Sequence, residues 1–226
     1  MFKWTRTKTQ TPPQGDKTPS QIIQEIETKF PMAKGEMQRL QARKWILGHV
    51  APGGVGVEIG VFRGHFSSLI CALAKPRKLY LIDPWTKVGP TFGWGKEYTN
   101  FDTLTTEAAR TEASARAAEF PDIETILIED LYPSCKAQIT EPLDFAYLDA
   151  GHSYKSTLNE LTHLKDQMAP DAVILGDDWQ PNPKAQHHGV FVAVQEFTRS
   201  SDWEIIAAGP GAQWAMKRRP APAQAT

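Results

Sequence analysis

Residues 55–70, VGVEIGVFRGHFSSLI, read as a buried strand, a glycine turn and the start of a helix in immediate succession. Val55, Val57 and Ile59 are β-branched residues in a short run, and helical spacing takes over at Phe66, Leu69, Ile70 and Leu73. Gly60 and Gly64 bracket the change. A strand that ends in glycines and feeds a helix is suited to cradle a ligand, because backbone without a Cβ can come close and the first amides of a helix have no internal partner.

The glycine pattern narrows the ligand. It is E-x-G-x-x-x-G, at Glu58, Gly60 and Gly64, rather than the G-x-G-x-x-G of a dinucleotide fold. A second apolar run, KLYLID, ends in Asp83, an acid at a neighbouring strand tip that can accept from both hydroxyls of a ribose. These features resemble the S-adenosylmethionine site of class I methyltransferases. The resemblance implies that Glu58, Gly60 and Gly64 line the methionine end and that Asp83 holds the ribose.

Composition sets the outer bounds. With 226 residues, 41% hydrophobic and 23% charged, the chain has the makings of one globular domain with a full core. A formal charge of −1 gives no basic excess, so nucleic acid is not expected as a partner. Cys71 and Cys135 lie far apart, which suggests neither a zinc site nor a disulfide framework, and Cys71 reads as a packed thiol. No long apolar run or signal-peptide block is found, so the expectation is a cytoplasmic protein without a membrane partner. A homo-oligomer is compatible with the sequence.

Residues 1–19, rich in Thr, Pro, Gln and Lys, read as a mobile tail. Residues 20–53 read as a small helical cap: Ser20 would cap a helix carrying Ile22, Ile23 and Ile26 and ended by Pro31, followed by a helix from about Lys34 to His49 with Met37, Leu40 and Leu47 on one side. Packing appendage, substrate lid and dimer contact are all open to it. From residue 54 to 219 strands and helices alternate, which predicts a parallel sheet with helices on both faces. Strands are expected at 55–59, 78–82, 124–128, 143–148 and 172–175. WEIIAAG and QWAMKR, joined by GPGA, read as a closing hairpin, and residues 220–226 as a loose tail. The fold class expected is α/β: a Rossmann-like seven-stranded sheet, mostly parallel, with an antiparallel last strand. The segment 84–100, dense in Gly and aromatics, is long enough to suggest a lid, although Trp85 and Trp94 more simply fill the loop's own core.

Two motifs share the edge of the sheet where the glycine turn lies. LDFAYLDAGHSY delivers Asp149 and then His152, and AVILGDDW delivers Asp177 and Asp178. Ligands in open parallel sheets bind outside the carboxyl ends of the strands, and neighbouring strands are only ~4.8 Å apart. Three carboxylates that close require either a bound proton or a cation, and oxygen-only donors favour magnesium. The plain alternative has Asp177 capping the next segment and Asp178 paired with a Lys or Arg. His187 and His188, in the loop that follows, resemble half a metal site without evident partners, so a polar helix start is the simpler reading.

Together VEIGVFRG, LIDPW, LDFAYLDAGHSYKSTLNEL and ILGDDW resemble the small-molecule O-methyltransferases of macrolide sugars and aminocoumarins, over roughly residues 54–219. The resemblance implies magnesium held by Asp149, Asp177 and Asp178, His152 as the base, and adenine near Asp130. It implies a small-molecule acceptor, a sugar or natural product, whose hydroxyl receives the methyl group of S-adenosylmethionine. The competing classes are a nicotinamide-dependent oxidoreductase, disfavoured by the missing third glycine, and a non-catalytic cofactor-binding protein with the same fold.

Overall fold

The computed structural model describes residues 18–29, 32, 34–93 and 104–220. Residues 1–17 of the tail expected at 1–19, residues 221–226 of the tail expected at 220–226, the stop at Pro31 and the Trp94 half of the proposed lid lie outside the described residues, while Pro19 already belongs to a helix.

Seven strands form one sheet: β1 (Val55–Ile59), β2 (Lys78–Asp83), β3 (Glu124–Glu129), β4 (Leu143–Leu148), β5 (Met168–Gly176), β6 (Trp203–Gly209) and β7 (Gln213–Arg218), in spatial order β3-β2-β1-β4-β5-β7-β6. The first five pair in parallel, and β7 runs antiparallel between β5 and β6. The strands lie where the sequence puts them, except that β5 begins earlier, at Met168, than the apolar run AVIL suggests. The class is α/β, mostly parallel with an antiparallel last strand.

Helices α1 (Pro19–Lys29), α2 (Glu36–Arg43), α3 (His65–Leu69) and α4 (Thr106–Ala117) lie on one face of the sheet, over a core that includes Ile23, Leu40, Leu69, Leu79, Ala113 and Phe145. Helices α5 (Tyr154–Leu164) and α6 (His188–Ser200) cover the other, over Val57, Ile82, Leu161, Ile174, Val194 and Trp214. β1 and β2 are buried at every position, as central parallel strands must be when both faces are covered. Each fully buried aliphatic side chain contributes about 1.5–3 kcal/mol. On β1 the face opposite the valines carries Gly56, whose missing side chain leaves room for the Phe145 ring, and then Glu58.

The cap starts two residues earlier than expected. Thr18, not Ser20, closes α1: its Oγ accepts from the Gln21 amide at 3.3 Å, while the Gln21 side chain accepts from the Thr18 amide at 2.8 Å. Pro19 is then the first helical residue, where its missing N–H costs nothing. α2 continues as a 3-10 turn over Lys44–His49. No helix among the described residues is long and apolar enough to cross a membrane.

Candidate active site

Register alone assembles the site. Ile82, Ile59, Leu148 and Gly176 stand side by side across four strands, so Asp83, Gly60, Asp149 and Asp177 form the next row, at the carboxyl edge. The acids expected to share one edge do share it.

The glycine turn is braced from within. Asp83 accepts from the amides of Val61 (3.0 Å) and Phe62 (2.9 Å) through one oxygen and from that of Trp85 (3.0 Å) through the other. Burial nonetheless raises its carboxyl above the ordinary value. Glu58 is fully enclosed and bonded to the Ser67 hydroxyl of α3, and desolvation pushes its carboxyl far above the carboxylate range. The glycines are needed for packing: Gly60, at φ +91°, has no room for a Cβ beneath the Asp149 carbonyl, and Gly64, at φ +76°, lies against Ala113 of α4. Trp85 is buried, its indole donating to the Phe62 carbonyl at 2.7 Å, so it fills the loop core.

A cation already stands among the carboxylates. Arg43, from the last turn of α2, donates from Nη1 to Asp149 Oδ2 at 3.1 Å and from Nη2 to Asp177 Oδ2, with only 5% of its surface exposed. Burial alone would lower its pKa, but the carboxylates, Asp149 foremost, outweigh that and raise it. Asp177 is held further by Gln213 Nε2 on Oδ1 at 2.6 Å and by Trp214 Nε1 on its carbonyl at 2.8 Å, both from β7. Burial and then the Asp149 charge push the Asp177 carboxyl up.

Asp178 turns the other way. It adopts φ +63°, the left-handed region that Asp tolerates better than most residues, and its Oδ2 lies 2.7 Å from His152 Nδ1 and 2.7 Å from His187 Nδ1. Burial would raise its carboxyl; the imidazole bonds, that of His152 first, hold it below the ordinary value. The bond to Asp178 raises the His152 pKa in turn. Asp149, Gly151, His152, Glu160, Asp178 and Trp214 line a narrow cleft with about 10 Å³ of room. Glu160, nearly buried beneath the His152 loop, accepts from the Gly151 amide, and desolvation lifts its carboxyl to about 8.

Asp130 sits two residues beyond the register partner of Ile82, bonded to its own Leu131 amide at 2.8 Å and to Lys87 at 3.0 Å. Leu131 beside it is 56% exposed.

Arg43 and Gln213 escaped the sequence reading, and His187 figured in it only as half a metal site, with a polar helix start as the simpler reading. Arg43 left a trace, since with Leu40 and Leu47 it falls on one helical stripe and is the charge in an otherwise apolar line. His187 looks like a helix start, yet its side chain makes no capping bond and turns to Asp178 instead.

Magnesium was the expected ion for Asp149, Asp177 and Asp178, and their donor atoms do lie within 4.8 Å of one another. Arg43 holds one oxygen of Asp149 and one of Asp177, Gln213 holds the other oxygen of Asp177, and one Asp178 oxygen faces two imidazoles. With Arg43 in place these residues do not fit a hard octahedral ion, which requires free oxygen donors.

A family profile described as a methyltransferase domain matches residues 57–179. Among solved structures, the chain is similar to the O-methyltransferase TomG from Streptomyces achromogenes, involved in tomaymycin synthesis and solved in complex with SAM, with TM-score 0.56, 16% identity, and coverage of 90% of this chain and 91% of that one. It is also similar to the precorrin-6y C5,15-methyltransferase from Geobacter metallireducens GS-15 (TM-score 0.59, 11% identity, 86% and 94% covered). A third likeness is to an rRNA methylase from Streptococcus thermophilus (TM-score 0.50, 15% identity, 77% and 92% covered). These likenesses establish the fold, and they span several acceptor chemistries. No curated protein matches the chain.

Proposed function

The chain belongs to the methyltransferase-domain family, among the class I S-adenosylmethionine-dependent methyltransferases, and from that premise we propose that it methylates a hydroxyl oxygen of a small molecule, with His152 as the base. The observation that carries this reading is the 2.7 Å approach of His152 Nδ1 to Asp178 Oδ2. A carboxylate can only accept, so Nδ1 carries the proton and Nε2 keeps its lone pair. Asp178 thereby sets the tautomer, orients the ring and stabilises the imidazolium formed when Nε2 takes the acceptor's proton.

The methyl donor when bound supplies an electrophilic methyl on a sulfonium. The residues proposed to hold it are the turn from Gly60 to Gly64, Asp83 and Asp130. Asp83 suits a ribose because its Oδ1, which accepts only the Trp85 amide of the turn, has a lone pair left for a ribose hydroxyl, whereas Oδ2 already accepts from Val61 and Phe62. Exposed Leu131 offers an apolar surface for a base beside Asp130. Glu58 keeps the turn in place through Ser67 rather than meeting ligand directly. Asp149, neutralised by Arg43, forms the floor of the cleft next to His152. No step is routed through magnesium.

Small acceptors are favoured over RNA because the chain lacks basic excess, its formal charge being −1. Calorimetry with S-adenosylhomocysteine and with NAD, followed by a labelled-methyl screen of sugar, phenol, peptide and RNA acceptors, tests the reading. Binding of NAD alone, or label in RNA alone, would overturn it.

A further inference from the structure

The two histidines on Asp178 are more than a base and its partner require. His152 approaches from the loop after β4 and His187 from the start of α6, 35 positions apart in the sequence, and both present Nδ1 to the same oxygen at 2.7 Å. Their rings lie nearly parallel, 10° apart with centroids at 4.4 Å. One acceptor oxygen does not need two ring donors. The second oxygen of Asp178 is steadied by Gln180 Nε2 at 3.3 Å, and the Gln180 carbonyl is bonded to His188 Nδ1 at 2.8 Å.

We infer that His152 Nδ1, His187 Nδ1 and Asp178 Oδ2 form a binding site for a borderline divalent cation of the zinc class, and that filling it silences the base. Two imidazoles and one carboxylate are the donor set that suits zinc and its transition-metal neighbours, whereas magnesium prefers oxygen alone. Tetrahedral metal–ligand bonds of about 2.0–2.2 Å place neighbouring ligand atoms roughly 3.3–3.6 Å apart, so each imidazole nitrogen would draw back from the Asp178 oxygen by less than about 1 Å around an ion. The contact of Gln180 with Asp178 is the outer-shell support that orients a ligating carboxylate. His187 has side-chain exposure of 19% and makes no capping bond, so it is free to serve as a ligand without unravelling α6. This set shares Asp178 with the three-aspartate set but uses neither carboxylate that Arg43 holds.

The silencing rests on the proposed role of His152. A neutral imidazole has one N–H; if Nδ1 gives its lone pair to an ion, Nε2 must carry the hydrogen and has no lone pair for the acceptor's proton. Ion binding and base function therefore exclude each other.

The test is calorimetric titration of the chelator-treated, desalted full chain with zinc, with cobalt(II) absorption as a second readout. One saturable equivalent is expected, unaffected by excess magnesium and weakened about 100-fold or more in His187→Ala, since removing a ligand costs at least what removing outer-shell support does. Absence of saturable binding, competition by magnesium, or unaltered binding in both His187→Ala and His187→Gln would overturn the site. For turnover, zinc should suppress the parent in step with occupancy and leave His187→Ala at whatever rate that variant shows without zinc. Full turnover at full occupancy would overturn the silencing. Ion-free His152→Ala turnover judges the base role separately.

Discussion

Arg43 Nη1 lies 3.1 Å from Asp149 Oδ2, joining a helix before the first strand to the tip of the fourth across 106 residues of sequence. That contact makes the N-terminal cap part of the candidate site. It also replaces the expected ion by a side chain.

Removing Arg43 should be costly. Arg43→Ala takes from Asp149 and Asp177 the cation bonded to both, leaving Arg39 3.8 Å from Asp177, and breaking one side of a buried ion pair costs about 3–5 kcal/mol. Thermal melting should show a large drop in Tm, partly reversed by millimolar magnesium in the variant and unaffected by it in the parent. A magnesium-dependent Tm in the parent would show that Arg43 yields its place.

The pH profile should report the Asp178 bond. That bond favours the charged imidazole and raises the His152 pKa above the ordinary 6.5, so the neutral base appears, and kcat/KM climbs, only above that value. Asp178→Asn, which tolerates the same backbone conformation, should move the rising limb to lower pH while reducing turnover. His152→Ala should lose ~10²-fold or more and flatten the limb. An unshifted limb in Asp178→Asn would separate the two residues.

Asp83→Ala should affect both fold and cofactor. It strips acceptors from three backbone amides, each orphan costing about 1–3 kcal/mol if water cannot reach it. Melting should fall by several degrees and S-adenosylhomocysteine affinity should drop in calorimetry. Destabilisation with unchanged affinity would confine Asp83 to bracing the turn.

Glu160 supplies a pH test of stability. Its folded carboxyl titrates at about 8 against an ordinary 4.5, so between those values the folded chain holds a proton that the unfolded chain has lost. Stability must fall as pH rises through that window. Glu160→Gln removes the dependence and should gain on the parent by up to a few kcal/mol between about pH 5 and pH 8, measured by denaturant melts. Parallel pH curves for the two proteins would contradict the raised carboxyl.

The sheet was legible because apolar, β-branched runs such as Val55–Ile59 and Ile126–Ile128 stop at a glycine or an acid, and register then fixes which tips meet. The acids of the cleft were legible for the same reason. Their partners were not. Arg43 and Gln213 meet Asp177 across 134 and 36 residues, distances over which no local periodicity speaks. Asp83 and Glu58 were recognised as important, but that their first task is to hold the turn depends on where amides and the Ser67 hydroxyl point, which spacing does not encode.

Gln213 and Trp214 fasten Asp177 from the strand inserted between β5 and β6. During synthesis, then, Asp177 cannot gain these two partners until residues 213 and 214 have left the ribosome. A nascent chain halted before that point would present the unpaired edge of β5 and an Asp177 without these holds, an edge open to pairing with other chains.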